Sequence, residues 1–460
     1  MNGQEGMPVL LMYFIYSLLL AVGFLVLLPR FLYDAFRHGK YVAGFRERLG
    51  TLSPAAVQPL IWIHCVSVGE TQAARPLVLE LKKQLPNRRI AISTTTLTGQ
   101  NLAQEIFRND AERVFYFPFD WRWTVRRTLR ALRPEAVLIM ETELWPAFLR
   151  ECERQQIPVV VLNGRLSERS FRRYRLFRGF MSQVLRGVSL AIMQTEADGA
   201  RLRLLGIAPE KVQVSGSLKF DAGALPLNDA LTAELRGRFN FTADSSLVLA
   251  ASTHEPEERI VIEAFERLIA RGVPTARLLI APRHPERFGE VATLLEASGL
   301  SSARRSAPQK ETDNSARVVL LDTIGELQSV YSLATVVFVG GSIAKTGGHN
   351  ILEPAAVGAC ILTGAHTYNF REIVEAFVRA EAIVQLPAMP DSYAALELEK
   401  LFTAFLTDRE KRKLLGERAR QLVNQNRGAT ERTMELLKKL LDRSVASKDS
   451  AALPHRHART

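Results

Sequence analysis

The chain has 460 residues, of which 47% are hydrophobic and 23% charged, a balance that excludes bulk disorder and predicts two globular domains. Its three cysteines, Cys65, Cys152 and Cys360, lie far apart, which excludes a disulfide framework and a CxxC zinc site and indicates a reducing compartment. The formal net charge of +12 predicts an anionic partner, such as nucleic acid, a lipid surface or a phosphorylated substrate.

The first segment of interest covers residues 8–29, PVLLMYFIYSLLLAVGFLVLLP, which carries no charge. It is long enough to cross a hydrocarbon core of roughly 30 Å at about 1.5 Å per residue. A cleaved signal peptide is disfavoured because no Lys or Arg precedes the run and no small-residue cleavage site follows it. Arg30, Arg37 and Lys40 follow the run, and positive charge marks the cytoplasmic side of a membrane segment. We therefore predict one uncleaved transmembrane anchor with the body of the protein on the cytoplasmic side.

From about residue 58, strand-like runs alternate with stretches of helical spacing, as in a parallel, doubly wound α/β sheet. The alternation is lost after Gly216, and a second series then begins. We predict two Rossmann-like halves facing across a cleft, with ligands beyond the carboxyl ends of the strands. The predicted parts are an anchor (8–29), an N-terminal domain (30–215), a linker (216–245), a C-terminal domain (246–442) and a flexible tail (443–460).

In the N-terminal domain, carboxylates follow two predicted strands. Glu70 comes after the run HCVSVG, and Glu141 and Glu143 come directly after EAVLIM. Acidic residues at such positions often cap a helix, which is the interpretation we prefer for Glu143. Glu70 and Glu141 are expected to face the cleft, where a desolvated glutamate suits proton abstraction from a hydroxyl. Lys219, in GSLKFD, could oppose negative charge on a departing phosphate or could be an ordinary surface lysine of the linker.

An arginine-rich stretch covers residues 165–186, where Glu168 is the single acid. Its aromatic residues recur every third position and predict a stripe along one helix. One interpretation is an ordinary amphipathic helix with a solvated charged face. The other is a basic-aromatic surface that sits on an anionic membrane and holds a phosphorylated lipid. Nucleic acid is disfavoured because no recognisable binding motif accompanies the charge. The aromatic residues are Phe171, Tyr174, Phe177 and Phe180.

The C-terminal domain offers several strand ends suited to a nucleotide. VGGS at 339–342 is followed by GGHNILEPAAVG at 347–358, and paired glycines before a helix let backbone N–H groups approach a phosphate. Arg283 and His284 follow the run ARLLIAP, and Glu326 lies in the turn after VVLLD. Each alone could be an ordinary tight turn or an interdomain salt bridge, but together they predict a nucleotide pocket.

Several other chemistries are excluded by the sequence. The chain has no Asp-x-Asp diphosphate-metal clamp and no HExxH pair. GGSIAKTGG lacks the second glycine of a P-loop, which excludes a Walker-type ATPase. We therefore predict no metal site and no cofactor.

The motifs HCVSVGE, METELWP, NGRLS, GSLKFD, ASTHEPEE, APRHPERF, DTIGEL, VGGS and GGHNILEPAA, in this order, resemble the Kdo transferases of lipopolysaccharide assembly. The resemblance runs from the anchor to about residue 430. It implies a metal-independent, inverting glycosyltransferase of the GT-B architecture in the bacterial inner membrane. Such an enzyme moves 3-deoxy-manno-octulosonic acid (Kdo) from CMP-Kdo to the lipid A precursor, lipid IVA. The implied partners are the CMP-Kdo donor, the lipid A precursor and the anionic inner-membrane surface, without nucleic acid.

The resemblance also implies roles for particular residues. Glu70 matches the general base that deprotonates the acceptor hydroxyl, and Glu141 and Lys219 match positions that stabilise the transition state. The matching CMP-binding positions are Pro282, Arg283, Ile324, Gly325, Glu326, Asn350, Ile351, Leu352 and Glu353.

Two alternatives stay open at this point. One is another GT-B transferase that uses a different nucleotide sugar. The other is a membrane-tethered protein that binds anionic lipid or nucleic acid without chemistry, although it leaves the strand-end carboxylates and glycine-rich turns unexplained.

Overall fold

A computed structural model describes residues 7–38, 44–54, 58–222, 228–241, 246–273 and 275–452. The chain divides into two compact units, which we call the first unit (Met1–Ala222 with Arg427–Thr460) and the second unit (Gly223–Asn426). Each unit contains a parallel seven-stranded sheet accompanied by helices. The predicted α/β class with two Rossmann-like halves is therefore confirmed.

The sheet of the first unit contains β1 (Leu60–Cys65), β2 (Arg89–Thr94), β3 (Arg113–Tyr116), β4 (Ala136–Met140), β5 (Val159–Gly164), β6 (Leu190–Met193) and β7 (Val212–Val214). Its order is β3-β2-β1-β4-β5-β6-β7, and every neighbouring pair is parallel. The winding reverses between β1 and β4, so these two strands flank the topological switch point, where open α/β sheets bind ligands.

Helices of the first unit pack on both faces of this sheet, and this burial explains its apolar strands. All six residues of β1 are buried, His64 included, because a strand covered on both faces shows no polar alternation. Trp62 lies in the core on one face and Ile63 in the core on the other. The helices of the first unit that precede the second unit in the chain are α1 (Met7–His38), α2 (Phe45–Arg48), α3 (Val68–Gln84), α4 (Leu97–Ile106), α5 (Arg122–Leu132), α6 (Pro146–Arg154), α7 (Glu168–Leu176), α8 (Arg178–Arg186), α9 (Glu196–Leu204) and α10 (Leu218–Ala222).

The sheet of the second unit contains β8 (Ser246–Thr253), β9 (Ala276–Pro282), β10 (Ser302–Arg304), β11 (Val318–Leu320), β12 (Val336–Val339), β13 (Cys360–Thr363) and β14 (Val384–Gln385). Its order is β10-β11-β9-β8-β12-β13-β14, with the reversal between β8 and β12. Its helices are α11 (Asp229–Phe239), α12 (Glu257–Ala270), α13 (Phe288–Ala297), α14 (Leu327–Val330), α15 (Leu352–Ala356), α16 (Arg371–Arg379), α17 (Asp391–Thr407) and α18 (Arg409–Asn426).

The C-terminal helix α19 (Ala429–Ala452) belongs to the first unit, which differs from the predicted C-terminal domain of 246–442. Met434, Leu437 and Leu441 are buried in the core cluster that contains the apolar face of α3. The helical spacing of these residues marks an apolar stripe, but nothing in that spacing tells which sheet the stripe covers. The helix also extends into the predicted tail of 443–460, of which residues 453–460 lie outside the described ranges.

The predicted linker of 216–245 is divided between the two units. Helix α10 belongs to the first unit and α11 to the second, and the chain passes between them at 223–227, which lie outside the described residues.

Within the described part of the chain, α1 alone contains a segment long and apolar enough to cross a membrane, Leu11–Pro29. One side of this segment contacts the rest of the first unit. The Tyr16 hydroxyl donates to Asp120 Oδ2 at 2.8 Å, and the ring centroids of Phe24 and Trp121 are 5.3 Å apart. By length and composition the segment fits the predicted anchor. Its exposed apolar side chains include Leu11, Phe14, Ile15, Leu18, Leu19, Val22, Leu25 and Val26.

The arginine-rich stretch of 165–186 forms α7 and α8 instead of the single helix that the spacing predicts. The two helices meet at Phe177, whose backbone leaves the helical region. Side chains three positions apart drift around a helix, so Phe171 is buried whereas Phe177 is 67% exposed. The break lets Phe180 turn back and pack on the core.

Candidate active site

The switch point of the first unit brings together two of the predicted carboxylates. Glu70 lies in the first turn of α3, directly after β1, and Glu141 directly follows β4. Since β1 and β4 are paired and parallel, their carboxyl ends meet at the same edge of the sheet. The two carboxylates are close enough for the charge of Glu141 to raise the pKa of Glu70.

Glu70 is a buried carboxyl group, with 5% of its surface exposed. Its Oε2 accepts a hydrogen bond from the Val66 N–H at 2.7 Å, and its Oε1 accepts one from the Ser67 hydroxyl at 2.9 Å. Burial raises its pKa to about 8, the charges of Glu141 and Glu143 add to the rise, and the two hydrogen bonds oppose it. Glu70 is therefore poised to take a proton in slightly alkaline solution.

Glu141 adopts a left-handed backbone conformation at φ +56°, which is uncommon for a residue other than glycine. Its N–H still extends the ladder by donating to the Leu162 carbonyl at 2.8 Å. The Lys219 ammonium donates to Glu141 Oε1 at 2.9 Å, and the two side chains are 22% and 25% exposed. The ion pair is thus reachable by a substrate, whereas the neighbouring Glu70 is mostly enclosed.

The helix that carries Lys219 is held by a residue that the sequence analysis did not single out. Asn163, at the end of β5, is fully buried and has a φ of +52°. Its Oδ1 accepts a hydrogen bond from the Leu218 N–H, at the start of α10, at 3.0 Å. Asn163 belongs to the NGRLS motif, but no local pattern relates it to a residue 55 positions away.

Glu143 does not have the capping role predicted for it. The first turn of α6 is capped by Asp120, whose carboxylate accepts hydrogen bonds from the N–H groups of Ala147 at 3.0 Å and Phe148 at 2.7 Å. Asp120 lies in a preceding loop, so the sequence around α6 gives no sign of it. Burial, followed by the charge of Glu141, raises the pKa of Glu143.

In the second unit, the predicted CMP-binding residues lie in the connections after β9, β11 and β12, and the carboxyl ends of these parallel strands lie at one edge of the sheet. Pro282 ends β9 and is buried, and Arg283 follows it with an exposed side chain. In the turn after β11, Gly325 has a φ of +86° and Ile324 is 73% exposed. Glu326 ends this turn and is paired with an arginine, Arg305, at 2.8 Å.

The predicted segment of residues 350–353 lies at the start of α15. Asn350 Oδ1 accepts from the Leu352 N–H at 3.0 Å, and Asn350 Nδ2 donates to Glu353 Oε1 at 3.0 Å. The side chains of Ile351 and Leu352 are buried. These two positions therefore offer only backbone groups to a ligand.

The glycine-rich turn after β12 is not free to cradle a phosphate as predicted, because the carboxylate of Glu257 fills it. Glu257 is fully buried in the first turn of α12 and also accepts from the His254 N–H at 3.0 Å. Sequence reasoning missed this contact because it joins residues more than 80 positions apart. The N–H groups of the turn that donate to Glu257 are those of Gly341 (2.7 Å), Ser342 (2.9 Å), Ile343 (2.8 Å) and Ala344 (3.1 Å).

At this switch point, sequence reasoning named His284 but missed the two histidines that lie near it. His254, after β8, and His349, before α15, approach to 2.8 Å between their Nε2 atoms, and the His284 ring centroid lies 5.0 Å from that of His254. Burial lowers the pKa of His254 to about 4 and that of His349 to about 3, with further lowering by neighbouring histidines and by Arg283. Gly341 packs against the ring: a Cβ there would lie 2.8 Å from His349 Cδ2. His254 and His349 are therefore neutral near pH 7 and lie beside a cation, Arg283.

In the described ranges, no group of three or more His, Cys, Asp or Glu side chains is arranged to hold a metal ion.

Comparison with known proteins identifies the family. Residues 43–222 match the family model of the 3-deoxy-D-manno-octulosonic-acid transferases (kdotransferases). A 3-deoxy-D-manno-octulosonic acid transferase of Haemophilus influenzae is 36% identical over 409 residues, 88% of this chain and 93% of the relative. The chain belongs to the Kdo transferase family. A Bordetella pertussis enzyme of the same name is 36% identical over 400 residues, 85% of this chain and 89% of the relative.

Solved structures extend the comparison of this Kdo transferase to its fold. The UDP-GlcNAc 2-epimerase of Neisseria meningitidis has a TM-score of 0.53 at 17% identity and covers 83% of this chain and 100% of its own. This likeness shows the GT-B-like fold alone. The C-terminal CMP-Kdo binding domain of WaaA from Acinetobacter baumannii is 32% identical, with a TM-score of 0.38, and covers 43% of this chain and 99% of its own.

Proposed function

We propose that the chain transfers Kdo from CMP-Kdo to the lipid A precursor, lipid IVA, with inversion at the anomeric carbon and without a metal ion. The observation that carries the proposal is the arrangement at the first switch point. There, a buried glutamate with a pKa of about 8 lies beside a partly exposed Glu141–Lys219 ion pair. Membership of the Kdo transferase family supports the sugar and the donor.

In the proposed reaction, Glu70 is the general base. The acceptor hydroxyl gives its proton to the Glu70 carboxylate, and its oxygen forms a bond to the anomeric carbon of Kdo. The bond from that carbon to the CMP phosphate oxygen breaks, and CMP departs from the face opposite the attacking oxygen. The electron pair of the broken bond leaves with the phosphate. Positioned proton transfer of this kind contributes about 10²- to 10⁴-fold to the rate.

The proposed role of Lys219 is to oppose the negative charge that grows on the CMP phosphate. Glu141 keeps the ammonium oriented through the 2.9 Å contact. Fixed positive charge at a leaving phosphate is worth about 10²-fold or more, because it needs no rearrangement when the charge develops.

The proposed donor site lies in the second unit, where Pro282, Arg283, residues 324–326 and residues 350–353 would bind CMP. The Arg283 side chain is exposed, and no ion pair of its guanidinium is found in the described part of the chain. A guanidinium beside neutral imidazoles suits a phosphate or carboxylate, which supports charge neutralisation by side chains instead of a metal.

The proposed location is the cytoplasmic side of the bacterial inner membrane, with α1 as a single-pass anchor. The basic-aromatic surface of α7 and α8 supports this placement. Leu176 and Phe177 are 79% and 67% exposed between the arginines of the two helices. Apolar side chains flanked by arginines suit an anionic lipid surface and the phosphates of the acceptor.

Mass spectrometry of lipid products tests the proposal directly. The full chain in detergent is incubated with lipid IVA and CMP-Kdo, with and without EDTA. We expect the lipid to gain the mass of Kdo and CMP to be released, unchanged by EDTA. A product formed from a UDP-sugar but not from CMP-Kdo would identify a different GT-B transferase. Binding of lipid without release of CMP would identify a binding protein.

A further inference from the structure

The segment of residues 215–221, which carries Lys219, directly follows β7 and contacts helix α3 and the C-terminal helix α19. The segment and α19 are more than 200 positions apart in the chain, and the chain reaches α19 only after completing the second unit. Both belong to the first unit.

One end of this segment caps α19. Asp221 Oδ1 accepts a hydrogen bond from the Gly428 N–H at 2.9 Å, and Asp221 Oδ2 accepts one from the Thr430 N–H at 2.6 Å. These are N–H groups at the start of a helix, which have no partner within the helix and carry a partial positive charge. Asp221 is two residues from Lys219 in the same short helix, α10, so the capping bonds restrain the helix that bears the ammonium.

The other end of the segment is bound by side chains of α19. The Ser215 carbonyl accepts from Arg432 Nε at 2.8 Å and from Arg432 Nη2 at 2.6 Å. The Thr433 hydroxyl donates to the Ser215 hydroxyl at 3.1 Å in a buried contact. Between the two ends, Leu218 is fully buried in the same core cluster as α3 and α19.

We propose that Asp221 and Arg432 are positioning residues for Lys219: by fastening both ends of residues 215–221 to α19, they hold the ammonium against Glu141. The inference rests on the proposed function, in which Lys219 stabilises the leaving phosphate. The first turns of α19 then position an active-site side chain, although none of their residues touches the reacting atoms.

The positioning has a physical reason in the chemistry. A lysine side chain has several rotatable bonds and loses rotamer entropy when it is fixed, so it contributes to the transition state only if its backbone is fixed. A misplacement of about 1 Å can cost on the order of 10²-fold in rate. The salt bridge to Glu141 is partly exposed and too weak to hold an unrestrained helix by itself.

The test uses the full chain with Asp221→Ala and Arg432→Gln, which loosen the segment from opposite ends. We expect each to lower kcat about tenfold or more by misplacement of Lys219, with an unchanged KM for CMP-Kdo, because the proposed CMP residues lie in the second unit. Arg432→Lys, which keeps one donor to Ser215, should recover part of the loss. Unchanged kcat in both loosening variants would overturn the inference.

Leu441→Ala is the control for stability. Leu441 is buried in the packing of α19 against the core but lies about two and a half helical turns from Arg432. We expect it to lower Tm while leaving kcat near that of the wild type at a temperature where all variants are folded. If it lowers kcat as much as Asp221→Ala at an equal loss of Tm, the effect is general destabilisation and the inference is wrong.

A double-mutant cycle separates the inference from the proposed function. If Asp221 acts through Lys219, adding Asp221→Ala to Lys219→Met should cause no further loss of kcat. A full additional loss in the double variant would overturn the inference alone. Wild-type kcat in Lys219→Met by itself would instead remove the proposed role of Lys219.

The pH profile of kcat/KM gives a second test, because a merely structural role of Asp221 would not shift its acid limb. The charges of Glu141 and Glu143 raise the pKa of Glu70, the charge of Glu70 in turn raises the pKa of the nearby Cys65 thiol, and Lys219 is paired with Glu141. Moving Lys219 away leaves Glu141 uncompensated and should shift the acid limb of kcat/KM to higher pH in Asp221→Ala, in the same direction as in Lys219→Met. An acid limb at the wild-type position in Asp221→Ala would contradict the displacement of Lys219.

Discussion

At the scale of single residues, the protonation of Glu70 is decided by a competition between burial and hydrogen bonding. Two donors, the Val66 N–H and the Ser67 hydroxyl, stabilise the carboxylate, yet its pKa is raised to about 8. Each unit of such a shift corresponds to about 1.4 kcal/mol, so the loss of water around the carboxylate outweighs both bonds. A glutamate that only caps a helix stabilises it best in the ionised form, whereas the burial of Glu70 disfavours the ionised form.

The pH dependence of transfer follows from this pKa. Glu70 accepts a proton only when ionised, and a raised pKa means that the ionised fraction falls as the pH drops below about 8. We expect kcat/KM to rise about tenfold per pH unit on the acid side and to level off above about pH 8. CMP release measured across the pH range checks this. A profile that is flat down to about pH 6 would mean that a group with an ordinary carboxyl pKa, or none, limits the rate.

The buried carboxylate of Glu257 stabilises the fold by accepting hydrogen bonds from backbone N–H groups. It accepts hydrogen bonds from the turn after β12 and from the His254 N–H, and its removal would leave these buried N–H groups without a partner. We expect Glu257→Ala to lower the free energy of unfolding by about 3 kcal/mol or more in denaturant titration. Glu263→Ala, on the exposed side of the same helix, should cost at most about 0.5 kcal/mol. Equal small effects would contradict the bonding of the turn to Glu257.

At the scale of secondary-structure elements, the sequence was sufficient to place residues at strand ends but not to pair them. Runs such as AVLIM and LIWIHC predict buried parallel strands, and the polar residues after them therefore lie at one edge of the sheet. The contact between Lys219 and Glu141 joins residues 78 positions apart, and no local pattern encodes it. Likewise, no local pattern encodes the contact of Glu257 with the turn after β12 or the capping of α6 by Asp120.

The arginines of α7 provide a prediction at this scale. Their contacts lie within the same helix: Arg172 pairs with Glu168 at 3.1 Å, and Arg175 lies over the Phe171 ring. Replacing Arg172, Arg173 and Arg175 with Ser should raise the KM for lipid IVA by about tenfold or more, since each arginine near an anionic membrane surface contributes about 1 kcal/mol to binding. Calorimetric CMP affinity should not change.

A charge-matched control distinguishes a specific lipid contact from net charge. A triple Ser variant on α18 removes the same number of positive charges from the second unit. Equal rises in the KM for lipid IVA would show a general electrostatic effect, and a joint loss of CMP affinity in the α7 variant would show misfolding. The control positions are Arg409, Lys411 and Lys413.

At the scale of the whole molecule, the first unit holds the apolar helix α1, the carboxylates, Lys219 and the C-terminal helix, while the second unit holds the positions matched to CMP binding. The repeated strand–helix pattern predicted this division into two halves. It did not predict the return of α19 to the first unit, because an apolar helical stripe fits either sheet.

The central claim is that Glu70 takes the proton of the acceptor hydroxyl, and the Glu70→Gln variant tests it most directly. The amide is close in size to the carboxyl and can still accept from Val66, so the fold and the CMP affinity should be preserved. Single-turnover transfer of Kdo to lipid IVA should fall by about 10²-fold or more, and the acid limb near pH 8 should disappear. Transfer at the wild-type rate, with the same acid limb, would contradict the account.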